Sequence, residues 1–321
     1  MATLITGAGL VGTAFAHYAK QRTEKMVFLD SEPRKTFLQL KSGDADVTLI
    51  RKDVRDLPAL IAIITDYHID TIVHTAGLIG KRVADSVYMG FQINLGGTLN
   101  VAEAVRLTGV KRLVHISTFG VYDWRRNPTG PIKESFPRGN GGAYANLKVA
   151  KEVLLEAYQQ LYGFELIVLR PANVFGLGHF WSGSGGGEKM QTLLQSGLQG
   201  KVAKIPLNQT MSNEYIYSKD VGKAVDLAAT VPLPAETIFN IGNGEVTPFE
   251  EIVNTVKKFI PDLQIEIIPG KAPGSRSQHL DISYAKEYLG WEPQFSLEEA
   301  FQDYIEDFKA VGPDSKTRLL T

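Results

Sequence analysis

The chain has 321 residues, enough for more than one average domain and for a large buried core. Its 34 Lys plus Arg balance 35 Asp plus Glu, so neither nucleic acid nor an anionic membrane surface is the expected main partner. With no cysteine, disulfides, thiolate nucleophiles and Cys-ligated metals are excluded; with no apolar run of membrane-spanning length and no basic-then-apolar leader, the sequence reads as a soluble cytoplasmic protein.

The first 170 residues alternate short apolar runs with amphipathic stretches. The runs are ATLIT (2–6), MVFL (26–29), VTLI (47–50), TIVH (71–74), RLVHIS (112–117) and ELIVLR (165–170). Short, β-branched and mostly apolar, they have the character of strands buried on both faces. Helical patterns lie between them, among others at 10–22, 57–66, 91–108 and 144–162. Such alternation predicts right-handed crossovers and a Rossmann-type doubly wound parallel sheet, for which six strands form a complete dinucleotide-binding set. After Arg170 the pattern breaks in PANVFGLGHFWSGSGGGEKM, whose glycine run at 183–187 is the best candidate for a mobile loop. A helix is predicted over 188–199, then strand, helix and strand in EYIYSKDVGKAVDLAAT and TIFNIGN. Two more helices follow, TPFEEIVNTVKKF with Thr247 as N-cap and Pro248 at its first position, and SLEEAFQDYIEDF with Ser296 as N-cap. The expected division is a nucleotide-binding part, 1–172 with returning segments at 214–245, and a smaller α+β substrate lobe from 173–213 and 246–321.

TLITGAGLVGTAFAHYAK places Gly7, Gly9 and Gly12 directly after a strand and before a helix, the context that G-x-G-x-x-G requires. These glycines permit a tight turn, close backbone approach to a pyrophosphate and close helix–strand packing, and the helix N-terminus offers free N–H groups to the anion. MVFLD then ends in Asp30, whose carboxylate suits the adenosine ribose hydroxyls and would repel a 2′-phosphate, so NAD is favoured over NADP. Asp53, just past the third strand, is placed to meet the adenine amino group; a plain loop or cap role fits its sequence nearly as well.

In GGAYANLKVAKEVLLEAYQQLYG, Tyr144 and Lys148 lie one turn apart on one helix face. Oxidising a secondary alcohol needs a base for the hydroxyl proton while a hydride leaves for the nicotinamide. A free phenol, with a pKa of about 10, is a poor base at neutral pH, and the charges of Lys148 and of the oxidised ring favour the phenolate. RLVHISTFGVYD offers Ser117 and Thr118 as strand-end hydroxyls to orient the substrate oxygen.

Over nearly its whole length the chain resembles the extended short-chain dehydrogenase/reductase group, the NAD-dependent epimerase/dehydratase family. The resemblance rests on Y-x-x-x-K, VHTAG (73–77), NLGGTLN (94–100), STFGVY, LRPANVFGLG, IYSKDVGKAV, FNIGNGE and LDISYAKEYLGWEPQFSLEEAF. It implies Tyr144, Lys148, Thr118 and Asn94 as the catalytic set. It implies cofactor contacts at Gly7, Gly9, Leu10, Val11, Gly12, Asp30, Asp53, Val54, Ala76, Gly77, Tyr144, Lys148 and Pro171, and substrate contacts at Thr118, Phe119, Asn173 and Arg276. It also implies a homodimer built on the helices at 91–108 and 144–162, with Val101, Val105, Leu154 and Tyr158 as possible contacts. Tyr122, Trp291, His74 and His115 read as satisfied core or lobe residues, and the six histidines form no metal motif. GSGGGEKM is no P-loop, because Lys189 precedes Met190 and no strand leads into it.

Three departures narrow the function. The loop Gly7-Ala8-Gly9 is one residue tighter than the G-x-x-G-x-x-G of the extended group. Phe119 and Gly120 stand where the family's dehydratases carry an Asp-Glu pair, so dehydration is not expected. In IPLNQTMSNEYIY, Asn213 replaces the arginine that grips a nucleotide diphosphate in the family's epimerases, and Arg276 is left as the remaining clamp. The expected function is NAD-dependent hydride transfer at a secondary alcohol of a sugar, polyol, sugar acid or related small substrate. The alternative is a nucleotide-sugar epimerase, and a non-catalytic NAD sensor ranks last.

Overall fold

The computed structural model describes residues 2–22, 24–139, 141–179, 185–274 and 278–311. In chain order its first half runs β1 (Ala2–Thr6), α1 (Leu10–Ala19), β2 (Lys25–Asp30), α2 (Lys35–Ser42), β3 (Val47–Arg51), α3 (Leu57–Asp66), β4 (Ile69–His74), α4 (Lys81–Asp85), α5 (Val87–Gly90), a π-turn (Phe91–Gly96), α6 (Gly97–Thr108), β5 (Arg112–Ile116), α7 (Ala143–Tyr162) and β6 (Glu165–Pro171). The second half runs β7 (Asn173–Phe175), α8 (Gly185–Leu198), β8 (Ala203–Pro206), β9 (Tyr215–Tyr217), α9 (Ser218–Thr230), β10 (Ile238–Ile241), α10 (Phe249–Phe259), β11 (Ile265–Ile268), α11 (Ser283–Tyr288) and α12 (Leu297–Val311).

All six predicted strands enter one parallel sheet of order β10-β6-β5-β4-β1-β2-β3, which β10 extends to seven. The strand order reverses between β1 and β4, and in open α/β sheets the crevice at the carboxyl ends beside such a reversal is where ligands bind. Phe15, Phe28, Val114, Ile167 and Trp291 belong to the core of one face, and Leu4, Val27, Ile72, Leu113 and Leu155 to that of the other. A third core, with Met190, Leu193, Tyr217, Ile252 and Phe301, holds the smaller C-terminal lobe, where β7 pairs with β9 and β8 with β11.

Several boundaries differ from expectation for local reasons. The helix expected at 91–108 opens as a π-turn and becomes α-helical only at Gly97. Helix α10 begins after Pro248, because Thr247 exchanges both backbone hydrogen bonds with Asn213 (3.2 and 2.9 Å) and is not free to cap. Ser296 does cap α12, accepting from the Glu299 amide at 3.3 Å while Glu299 reaches back to the Ser296 amide at 2.9 Å. The glycines at 185–187 open α8 instead of forming a mobile loop, whereas 183 and 184 lie outside the described residues. A Cβ on Gly187 would stand 2.1 Å from His179 Nε2, and one on Gly186 2.8 Å from Asn173 Oδ1, so close packing selects glycine there. Val101 and Val105, offered as dimer contacts, are 0% and 1% exposed and belong to the core between α6 and the sheet. Leu154 and Tyr158 are partly buried against the same core.

Candidate active site

A cavity of about 1190 Å³ opens along the carboxyl ends of the strands and continues into the C-terminal lobe. At one end stands the glycine loop. Gly7 takes φ 96°, a region open to glycine, and its N–H donates to the Leu29 carbonyl at 2.8 Å. A Cβ on Gly12 would lie 2.2 Å from the Gly7 carbonyl oxygen, so Gly12 sets how closely α1 packs on β1. Gly9 caps α1 with no side-chain hydrogen bond, and the first turn carries no acidic residue. Its N–H groups therefore remain available to an anion, which fits a dinucleotide pyrophosphate. Asp30 accepts from the Ala8 amide (2.7 Å) and the Glu32 amide (2.8 Å), which ties the loop to the end of β2. Asp53 is held bidentately by Arg55 at 3.0 and 2.6 Å; these hydrogen bonds keep its carboxyl below the usual range.

The chemical centre lies midway. Tyr144 is half-buried on the cavity wall, which Thr118 also lines. Lys148 is buried, its Nζ 5.8 Å from the centre of the Tyr144 ring and donating to the Ile116 carbonyl at 2.7 Å. The expected depression of the tyrosine does not appear in the protein alone. Burial raises its phenol above the ordinary value, the Thr118 hydrogen bond opposes that, and Lys148 is not among the causes. Lys148 is itself lowered to about 8 by burial, with Glu152 pulling the other way. The protein alone therefore does not favour the phenolate, and a further positive charge near the phenol would.

Beneath this pair, one turn along α7, Glu152 is 0% exposed. It accepts from Arg170 at 3.0 and 2.7 Å, from Arg138 at 2.9 Å, and from the Ser117 hydroxyl. Burial, the largest single influence, would raise its carboxyl, but Arg170, Ser117 and Arg138 together outweigh it and hold it below its ordinary value, so Glu152 stays ionised. Ser117 is thereby committed to the floor of the site, and Thr118 is the hydroxyl that meets Tyr144. Tyr122 is core, as expected, with its hydroxyl on Asn240 (2.5 Å) and Arg170 (3.1 Å). Trp291 is likewise core, with Nε1 on the Asp220 carbonyl at 2.9 Å. His74 is satisfied by Thr6 and Thr98, but neither ring nitrogen of the buried His115 has a partner among the described residues, which corrects that expectation.

Most of the expected site residues meet in this cavity: Gly7, Gly9, Leu10, Val11, Asp30, Asp53, Val54, Ala76, Gly77, Thr118, Phe119, Tyr144, Lys148, Pro171 and Asn173 all line it. Two do not. Gly12 acts by packing. Asn94 is 1% exposed and spends its side chain on Leu78, accepting from its N–H at 2.6 Å and donating to its carbonyl at 2.9 Å. It anchors the loop that carries Ala76 and Gly77 instead of facing the cavity. Arg276 lies outside the described residues. At the far end Asn173 Nδ2 donates to the Glu214 carbonyl at 2.9 Å, and the wall is completed by Trp124, Arg125, Lys189, Gln209, Met211 and Asn213. Lys189 has no motif to announce it, because in sequence it is one polar position of an amphipathic helix.

A Rossmann sheet with a glycine loop at α1 and a Tyr–Lys pair on α7 defines a nicotinamide-dependent oxidoreductase of the short-chain dehydrogenase/reductase type. The chain belongs to the NAD dependent epimerase/dehydratase family, whose profile matches residues 3–242. It is 30% identical over 316 residues to a UDP-glucose 4-epimerase of Mycolicibacterium smegmatis, covering 96% of this chain and 99% of that one. A dTDP-glucose 4,6-dehydratase of Xanthomonas campestris is 24% identical over 336 residues, covering 95% and 93%. The solved UDP-glucose 4-epimerase of Thermotoga maritima, with UDP-glucose, superposes with a TM-score of 0.85 at 23% identity, over 97% and 99% of the two chains. The Thermus thermophilus enzyme, with NAD, gives 0.81 at 24% identity over 96% and 99%. Among the described residues no helix is long and apolar enough to cross a membrane, and no cluster of His, Asp or Glu could hold a metal.

Proposed function

We propose that the protein is an NAD-dependent dehydrogenase that oxidises a secondary alcohol carbon of a sugar or sugar acid, with Tyr144 as base, Thr118 orienting the substrate oxygen and Lys148 supporting both. The observation that carries this is that Tyr144, Thr118 and Lys148 line one cavity, which the glycine loop opens, with the Lys148 Nζ 5.8 Å from the centre of the Tyr144 ring. Bound NAD supplies the hydride acceptor and a positive ring. Tyr144 takes the hydroxyl proton, and Thr118 holds the oxygen from which it comes. Asp30, at the ribose end, favours NAD over NADP.

A second reading, a nucleotide-sugar epimerase, is favoured by the Mycolicibacterium relative. Asn213 in place of a diphosphate-binding arginine weighs against it. Phe119 and Gly120 offer no acid or base for eliminating water, so dehydration is not proposed even though dehydratases occur among the relatives. Wild-type enzyme with NAD should accumulate NADH on at least one member of a panel of sugars, polyols and sugar acids. Interconversion of UDP-glucose and UDP-galactose without net NADH would favour the epimerase instead.

A homodimer is also proposed. Tyr88, Phe91, Leu99, Val153 and Leu161 are exposed apolar residues on α5, the π-turn, α6 and α7, at 72%, 42%, 42%, 50% and 75%. Leu95, Val149 and Ala157 line a shallow apolar groove beside Val153. Light scattering should give twice the chain mass, and Val153→Glu should shift it toward monomer; a monomeric wild type at micromolar concentration would refute the proposal.

A further inference from the structure

Helix α7 presents two buried lysines, three residues apart, to the carboxyl edge of the sheet. Lys148 donates to the Ile116 carbonyl, at the end of β5, at 2.7 Å. Lys151 donates to the Ala76 carbonyl, just past β4, at 3.3 Å. β4 and β5 are neighbours in the sheet, so one helix fastens the ends of two adjacent strands. Lys148 belongs to the proposed chemistry. Lys151 has no part in it and does not line the cavity. Yet Lys151 is 0% exposed and makes no ion pair among the described residues. Burial, and after it the charge of Lys148, lower it well below the ordinary lysine value, with no carboxylate opposing.

The groups that face Lys151 are basic. His74 and His115 stack with ring centres 5.5 Å apart, and burial, then the charges of Lys151 and Lys148, keep both rings neutral. An amine buried without a counter-charge costs the fold, and an apolar chain of the same length would cost it less. Among the described residues the bond to Ala76 is what Lys151 gives in return. That bond falls on the loop that joins the two ends of the chemistry. Thr75 Oγ1 donates to the Thr6 and Gly7 carbonyls at 2.8 and 3.0 Å, which ties the loop to the glycine turn. Asn94 holds it at Leu78, and a Cβ on Gly77 would stand 2.9 Å from Asn94 Oδ1. Ala76 and Gly77 line the cavity with the glycine loop on one side and the Tyr144–Lys148 pair on the other. A dinucleotide with its pyrophosphate at the glycine loop must lay its nicotinamide half across them to reach Tyr144.

We propose that Lys151 is a positioning residue for the nicotinamide half of the cofactor: together with Lys148 it fixes the 75–78 loop against the end of β5, and so the hydride acceptor against Tyr144 and Thr118. This rests on the proposed function and adds to it a residue outside the cavity. Its mark is stability given up for rate. The buried amine destabilises the fold, and turnover depends on the geometry that it holds.

Calorimetry with NAD and with ADP-ribose, which lacks the nicotinamide, compares Lys151→Met with the wild type, beside thermal melting and NADH formation on glucose, galactose, glucuronate and sorbitol. Methionine keeps the length and removes the donor. NAD affinity should fall about 3- to 10-fold, the loss of one hydrogen bond, while ADP-ribose affinity changes less than about twofold. Turnover should fall about tenfold or more, the effect of a small misplacement of reacting groups, with KM for the alcohol nearly unchanged. The melting temperature should rise by about 2 °C or more, because an uncompensated buried amine gives way to an apolar chain. Lys151→Gln, which keeps an N–H donor, should recover part of the NAD affinity. The proposal is overturned if the ratio of NAD to ADP-ribose affinity is unchanged in Lys151→Met, if turnover is kept, or if that variant melts lower or does not fold, the pattern of a purely structural lysine. The wild type separates the two levels: NAD binding with no NADH from any of the four alcohols counts against the proposed function, whereas the ratio of NAD to ADP-ribose affinity in Lys151→Met still decides the role of Lys151.

Discussion

The two ends of the cavity are built from different material. At the cofactor end the working groups are largely backbone: the turn at Gly7, the uncapped N-terminus of α1 and the amides that Asp30 ties together. Charges there are matched in place, as Asp53 is by Arg55. At the end proposed for the substrate the lining groups are side chains from well-separated segments, Asn173, Lys189 and Asn213, and Lys189 makes no ion pair among the described residues. A backbone site serves one conserved shape of ligand. A side-chain site can be retuned residue by residue, which is how one fold serves many substrates.

The contrast can be broken most severely from below, where a side-chain network supports both ends. Glu152→Ala would leave Arg170, 1% exposed, without its partner. Removing one member of a buried pair costs about 3–5 kcal/mol, so thermal melting should fall steeply and α7 should lose its seat. A melting point within a few degrees of wild type would mean that the network is dispensable. Gly12→Ala addresses the backbone end alone. Its Cβ would meet the Gly7 carbonyl oxygen at 2.2 Å, which something must relieve. Such overpacking costs about 1–3 kcal/mol, and NAD affinity measured by fluorescence should drop while the substrate end stays intact. Asp30→Ala is of comparable size but acts on the choice of cofactor. It removes a charged acceptor, a change of about 1.5–3 kcal/mol, and should narrow the preference for NAD over NADP instead of abolishing binding. Equal affinity for the two cofactors in the wild type would contradict the role of Asp30.

The pH profile sharpens the comparison at its midpoint. In the proposed mechanism the phenolate of Tyr144 is the active form, so alcohol oxidation at saturating NAD should rise with pH. Lys148 is lowered to about 8 by burial, so above that value it loses the charge that supports the site and the rate should fall off. The linkage to stability has a fixed sign. A lysine lowered in the folded state binds fewer protons than the unfolded chain between about 8 and its ordinary value, so its cost to the fold is full below about 8 and is relieved as pH rises through that interval.

What was legible in the sequence follows the same division. The sheet, the glycine loop, Asp30 and the Tyr144–Lys148 spacing are local patterns, and each is found in the cavity as its period and spacing imply. The seventh strand, β10, was visible as a strand in TIFNIGN, but its place at the sheet edge depends on pairing with β6. For Asn94 the motif fixes a position but not the direction of the side chain, which in the π-turn bonds to Leu78. Val101 and Val105 misled because a helix with apolar residues on more than one face does not say which face meets the sheet. Lys189, Glu152 and Arg170 gave no warning, since a buried charge on an amphipathic element is written with the same letters as a solvated one.

The central claim is that Tyr144 is the acid–base group of an NAD site, and it is tested most directly by Tyr144→Phe. Turnover, followed as NADH formed on whichever substrate the wild type oxidises, should be measured beside NAD affinity and thermal melting. General acid–base catalysis contributes about 10²–10⁴-fold, so turnover should fall by that order while NAD affinity stays within about threefold and melting is unchanged. A folded Tyr144→Phe variant that bound NAD and kept most of its turnover would contradict the claim, leaving Tyr144 an ordinary residue of α7.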